Sequence, residues 1–290
     1  VEFGRLITAM VTPFDANERI HWPEVERLIH DLIEVQRNDS LVICGTSGES
    51  PTLTDEEKVE LFKFAVEKAA GRARIIAGTG SNNTAHSIHL TKLAEEAGVD
   101  GVLLVAPYYN RPNQEGLYRH FKAIAESTKL PVILYNVPGR TAVSLSVETT
   151  LRLAEIPNIV ATKECASIEQ MTLIVDGAPE GFYVYSGDDP LTLPLLAVGG
   201  HGIISVASHL VGAEMKTMIE AYLNGDNAEA ARLHRRLYPV FKGLFHCPNP
   251  VPVKYALQLR GYHVGGVRLP LVEPSESEAA FIRELVESLN

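Results

Sequence analysis

Lys163 carries the most chemical information in this sequence. It closes the apolar run Ile159-Val160-Ala161-Thr162. Alternate residues of a strand share a face, so Lys163 falls with Ala161 and Ile159, while Glu164 points the other way. An amine turned into an apolar interior loses the solvation that favours its ammonium form, and the neutral amine is the nucleophile that builds Schiff bases on carbonyls. The competing reading turns the same lysine outward, to water or to an ion pair at the rim. Tyr135 closes the preceding apolar run, Pro131-Val132-Ile133-Leu134. If the two strands are neighbours, its phenol can pass protons between imine, alcohol and water; otherwise it is an aromatic plug. After another run comes Gly45-Thr46-Ser47-Gly48-Glu49, whose small residues and hydroxyls expose backbone N–H groups to a carboxylate. Glycine and serine are also ordinary loop residues, so this segment says little alone. Arg140 follows Pro138-Gly139 and offers a planar fork to a second carboxylate, or is simply a solvated loop arginine. His201, within Gly199-Gly200-His201-Gly202, precedes a strand and is expected to be structural. No H-x-H or H-E-x-x-H pattern occurs, which favours a lysine imine over a metal-stabilised enolate, with no cofactor.

These residues need elements that bring them to one place. Apolar, β-branched runs occur at Leu6–Val11, Leu41–Cys44, Ala73–Ala77, Gly101–Val105, Pro131–Tyr135, Ile159–Thr162, Phe182–Tyr185 and Gly202–Val206. Most are apolar on both parities, as in strands covered on both faces. Helical spacing fills the intervals at Trp22–Leu32, Asp55–Ala69, Thr84–Ala97, Gln114–Ser127, Ser146–Ala154 and Ile168–Val175, with a capping box expected at Thr54-x-x-Glu57. Eight strands, nearly all separated by a helix, predict an α/β fold, a (β/α)8 TIM barrel of the usual size of about 250 residues. An open doubly wound sheet would more often carry G-x-G-x-x-G after its first strand, where this chain has Thr12-Pro13-Phe14. The expected division is a catalytic barrel over residues 1–225 and a C-terminal helical subdomain over residues 226–290. In such a barrel the strand C-termini carry the active groups, and Lys163, Tyr135 and the Thr46 loop all fall there.

Composition narrows the function classes. The chain has 290 residues, with 26 Lys+Arg against 36 Asp+Glu, a net charge of −10 that argues against nucleic acid or an anionic membrane as partner. No apolar run is long enough to cross a bilayer, and no signal-peptide pattern opens the sequence. Cys44, Cys165 and Cys247 are odd in number and far apart, which reads as reduced thiols in a cytoplasmic protein.

Taken together, Gly45-Thr46-Ser47-Gly48-Glu49-Ser50, Pro107-Tyr108-Tyr109-Asn110-Arg111-Pro112, Tyr135-Asn136-Val137-Pro138-Gly139-Arg140-Thr141, Lys163-Glu164, Ser186-Gly187-Asp188-Asp189, Gly199-Gly200-His201-Gly202 and Asn249-Pro250-Val251-Pro252-Val253-Lys254 resemble the dihydrodipicolinate synthase / N-acetylneuraminate lyase family, over essentially the whole chain. The resemblance implies that Lys163 forms an imine with pyruvate, whose enamine attacks L-aspartate 4-semialdehyde to give 4-hydroxy-tetrahydrodipicolinate. It implies Tyr135 as proton donor and acceptor, in a relay with Thr46 and with Tyr109 of a neighbouring subunit. The pyruvate carboxylate would rest on Thr46 and Ser47, the Ile204 carbonyl would line the pocket, and Arg140 would hold the semialdehyde's carboxylate. A homotetramer built as a dimer of dimers is implied as well. Neuraminate lyases share Lys163 and Tyr135 but lack the arginine, so Arg140 favours the synthase branch over a sibling acting on a keto-sugar acid. A catalytically silent barrel is the reading from another class. Ser47 departs from the family's usual second threonine but keeps the hydroxyl. In lysine-inhibited members a glutamate holds the effector's ammonium; the matching positions here are Asp55, Lys58 and His86, with Tyr108 and Asn82 retained, so inhibition by L-lysine is expected to be weak or absent.

Overall fold

Strands that are apolar on both faces need cover on both faces, and this chain provides it by closing its sheet on itself. The computed structural model describes residues 2–289. Strands β1 (Leu6–Ala9), β2 (Ser40–Ile43), β3 (Arg74–Gly78), β4 (Gly101–Val105), β5 (Val132–Asn136), β6 (Ile159–Glu164), β7 (Tyr183–Ser186) and β8 (Gly202–Ser205) are parallel and follow one another around a closed barrel. The ring shuts where Ile7 of β1 pairs with Ile204 of β8. Around it run α1 (Trp22–Glu34), α2 (Asp55–Ala69), α3 (Thr84–Glu96), α4 (Gln114–Ala125), the short α5 (Pro138–Thr141), α6 (Val147–Ala154), α7 (Ile168–Gly177), α8 (Thr192–Ala197) and α9 (Ser208–Leu223). Helices α10 (Asn227–Gly243), α11 (Val251–Leu259) and α12 (Glu276–Glu287) complete the chain. The expected (β/α)8 barrel with C-terminal helices is therefore the fold. Helices α5 and α8 lie in stretches too short and too rich in proline and glycine to announce themselves by periodicity.

Side-chain alternation divides the strands between two cores. Ile7, Val42, Ile76, Leu103, Ile133, Ala161, Tyr185 and Ile204 fill the bore. Leu6, Leu41, Ile75, Val102, Leu134 and Ile203 face the helices. One expectation needs correction here. Ile159 does not share the inner face with Ala161 and Lys163; it packs in the outer core. The register shifts between Val132 and Ile133, which pair with Ile159 and Ala161, so Val160 is an extra residue that resets the parity. Beyond that irregularity the pattern is regular, and Tyr135, Lys163 and Tyr185 stand side by side across β5, β6 and β7.

Local signals act as the sequence suggests. The Thr54 hydroxyl accepts from the Glu57 N–H at 3.2 Å and the Glu57 carboxylate accepts from the Thr54 N–H at 3.0 Å, the expected capping box of α2. His201 lies at the bottom of the barrel, its ring 4.3 Å from that of Tyr183 and its Nε2 3.1 Å from the Glu2 carboxylate, in the structural place foreseen for it. All three cysteines are free thiols. Among the described residues no helix is long and apolar enough to cross a membrane.

A buried imidazole fastens the top of the β1–β8 seam. His209 Nδ1 lies 2.8 Å from the Val206 carbonyl, which can only accept, so Nδ1 carries the proton. Nε2 is then free to accept the Val11 N–H at 3.1 Å. Burial pushes this group down to about 4. The folded state thus keeps the ring neutral while the unfolded chain takes up a proton near the ordinary value of about 6.5. Stability from His209 is complete above that value and is lost as pH falls toward 4, by about 3 kcal/mol in total. The expected result is that the stability gap between the wild type and His209→Gln, measured by urea unfolding, narrows by about that amount from pH 7 to pH 4. A gap independent of pH would contradict the assignment.

Candidate active site

The strand C-termini open into a cavity of about 540 Å³ whose walls include Thr46, Leu103, Val105, Tyr135, Val137 and Arg140. Lys163 stands against one of these residues, Tyr135. Its Nζ stands 4.1 Å from the centre of the Tyr135 ring, and both side chains are buried, at 6% and 5% exposure. Three lysines of this chain are buried. Lys58 pairs with Asp55 at 3.8 Å and Lys254 with Glu49 at 2.9 Å. Lys163 forms no salt bridge among the described residues, and its Nζ lies over the π face of Tyr135. The side chain is turned inward and is in no ion pair, so the outward, ion-paired reading of this lysine does not hold.

Sequence-local geometry places the remaining groups. Cys44 and Glu49 both take left-handed backbone, at φ +58° and +56°, and curl the residues between them into a tight loop after β2. Among the described residues the N–H groups of Thr46 and Ser47 donate to no backbone carbonyl, which leaves them free for an anion. Ser47 is buried and Thr46 half-buried. Arg140 sits on α5, exposed at the mouth of the same cavity. Ile204 lies on the inner face of β8. Tyr109 is the exception. It is 89% exposed, with φ +75°, and does not line the cavity of its own chain.

Three residues that the sequence placed in motifs without assigning them a role support this arrangement. Glu164, on the far face of β6 from Lys163, is completely buried. It accepts from Asn136 Nδ2 at 2.9 Å, from the Ala166 N–H at 2.7 Å and from Gln170 Nε2 at 3.2 Å. Burial pushes its carboxyl up, and those donors oppose the shift. Because Asn136 and Glu164 are register partners one residue beyond Tyr135 and Lys163, their bond clamps the strand pair that carries the amine and the phenol. Gly187 permits Lys163 to lie where it does: a Cβ there would stand 2.2 Å from Cys165 Sγ and 2.8 Å from Lys163 Cε. The sequence signal for these residues was only their position at strand ends.

With this geometry in place, comparison with known proteins decides the family. The model of the "Dihydrodipicolinate synthetase family" matches residues 2–289. This chain belongs to that family. A 4-hydroxy-tetrahydrodipicolinate synthase of Bacillus velezensis is 58% identical to it over 99% of both chains, and one of Bacillus subtilis is 56% identical over 100% of both. A crystal structure of dihydrodipicolinate synthase from Bacillus anthracis superposes with a TM-score of 0.98 at 52% identity, covering 100% of this chain and 99% of that one. At these identities family membership extends to the whole barrel and its C-terminal helices, and the resemblance carried by the strand-end motifs is borne out.

Proposed function

We propose that this chain condenses pyruvate with L-aspartate 4-semialdehyde to 4-hydroxy-tetrahydrodipicolinate, with Lys163 as the Schiff-base nucleophile. The observation that carries the reading is the buried Lys163 amine, in no salt bridge among the described residues and 4.1 Å from the centre of the Tyr135 ring, which lines the cavity. The amine adds to the keto carbon of pyruvate and water leaves, giving the imine. Loss of a proton from the methyl group gives the enamine, which attacks the aldehyde carbon of the semialdehyde. The substrate's own amine then attacks the imine carbon, closes the ring and expels Lys163. Each stage moves a proton, and Tyr135 is the donor and acceptor within reach, relayed through Thr46. The pyruvate carboxylate rests on the free N–H groups of Thr46 and Ser47 and on the Ser47 hydroxyl, with the Ile204 carbonyl lining the pocket. Arg140 meets the semialdehyde's carboxylate at the mouth.

Tyr109 projects from the surface of its own chain, which suits a side chain that completes the relay in a neighbouring subunit. The assembly in this reading is a homotetramer, a dimer of dimers, in the cytoplasm. The C-terminal helical subdomain of this reading begins after Gly225, where a left-handed turn at φ +83° separates α9 from α10.

The cavity continues past the active residues to Asp55, Lys58, Asn82 and His86. Its carboxylate is already engaged: Asp55 accepts from His86 Nε2 at 2.8 Å and faces Lys58 Nζ at 3.8 Å. A lysine effector would have to displace both to seat its ammonium, so this chain is read as insensitive to L-lysine.

Two outcomes follow. Turnover is expected with L-aspartate 4-semialdehyde and not with keto-sugar acids, and Arg140→Ala is expected to lower kcat/KM for the semialdehyde by about 100-fold or more while imine formation with pyruvate stays within about threefold. Steady-state assays of both substrates check this, and preferred turnover of a keto-sugar acid would overturn the substrate assignment. L-lysine is expected to leave the rate unchanged up to about 1 mM, equivalent to binding weaker than about −4 kcal/mol. Half-inhibition well below that concentration would refute the effector reading.

A further inference from the structure

The Asn249–Lys254 motif lies outside the barrel and has no place in the proton relay, yet both of its polar ends reach the loop that seats the keto-acid carboxylate. Asn249, 6% exposed, donates from Nδ2 to the Ser47 Oγ at 3.0 Å. Lys254, 2% exposed and on α11, reaches the other end of that loop, donating to Glu49 Oε2 at 2.9 Å and to the Gly266 carbonyl at 2.6 Å. We infer that these two residues are positioning residues for pyruvate: Asn249 turns the Ser47 hydroxyl toward the carboxylate, and Lys254, through Glu49, fixes the end of the loop that carries it.

The hydrogen-bond directions support this. A hydroxyl that accepts from Asn249 keeps its own proton to donate, and among the described residues Ser47 Oγ gives that proton to no protein acceptor. Asn249 holds this orientation although its Oδ1 is buried without a partner. Burying an unpaired carbonyl is unfavourable, so the amide is kept for its donor and not for its acceptor. At the other end, Glu49 sits in left-handed backbone at φ +56°, a conformation that persists in a non-glycine residue only where surrounding contacts enforce it. Those contacts are Lys254 and the Arg268 N–H, which donates to Glu49 Oε1 at 2.9 Å. From the barrel side, Thr12 Oγ1 donates to the Gly48 carbonyl at 2.7 Å and closes the frame.

This inference rests on Thr46 and Ser47 being the carboxylate seat, and the experiment separates the two. Pyruvate KM, semialdehyde KM, kcat and Tm are measured for Ser47→Ala, Asn249→Ala, Asn249→Asp, Lys254→Met and the Lys254→Met/Glu49→Gln pair. Asn249→Asp offers only acceptors and takes the Ser47 proton for itself. The expected result is a pyruvate KM raised about tenfold or more in Ser47→Ala and in both Asn249 variants, with semialdehyde KM within about twofold and kcat at saturating pyruvate within about threefold. Lys254→Met is expected to raise the pyruvate KM, and Glu49→Gln in the same background to restore part of it by removing the orphaned charge. A folded Asn249 variant whose pyruvate KM matches the parent, while Ser47→Ala raises it, would reduce the contact to a structural one and overturn the inference. An unchanged pyruvate KM in Ser47→Ala would remove the carboxylate seat itself, and the inference with it.

Discussion

In the proposed reading, the chemistry of this barrel depends on one buried amine, that of Lys163. Its Nζ stands over the π face of Tyr135, beside the aliphatic side chains of the bore, and among the described residues it forms no salt bridge. Lys58 and Lys254 are also buried but are paired with Asp55 and Glu49, and this contrast is why Lys163 is proposed as the nucleophile.

Holding that amine against its preference for water requires a rigid frame. The frame is the strand register. Tyr135, Lys163 and Tyr185 are adjacent rungs of β5, β6 and β7, so the separation of amine and phenol is set by sheet geometry and not by a flexible loop. The Asn136–Glu164 bond one rung higher stops the two strands from sliding, and the missing side chain at Gly187 leaves the lysine stem its path. Loops with less regular backbone then bring the groups proposed to bind carboxylates: the curled segment between Cys44 and Glu49 on one side, and Arg140 on the single turn of α5 on the other.

Much of this was legible in the sequence. Strict alternation of apolar runs with helical spacing gave the barrel, and each strand lies within two residues of its run. Parity along β6 put Lys163 inside with Ala161, and the end of the preceding apolar run put Tyr135 beside it. Parity failed at Ile159, because an extra residue in one strand of a pair changes which face its neighbours take, and nothing in Ile159-Val160-Ala161 marks it. The loop residues Thr46, Ser47 and Arg140 took their meaning from family motifs, since glycine, serine and arginine in a βα loop have many bland explanations. Long-range pairings were invisible: Lys254 and Glu49 meet across 205 residues, and only the folded chain reveals that a basic residue in the last third anchors a loop in the first.

The central claim concerns one nitrogen atom, so its most direct test is covalent. The protein is incubated with pyruvate, reduced with borohydride, digested, and mapped by tandem mass spectrometry. The account predicts a single reduced pyruvate adduct on the peptide containing Lys163, absent from Lys163→Ala. Labelling that spreads over surface lysines, or an adduct that survives in Lys163→Ala, would contradict it.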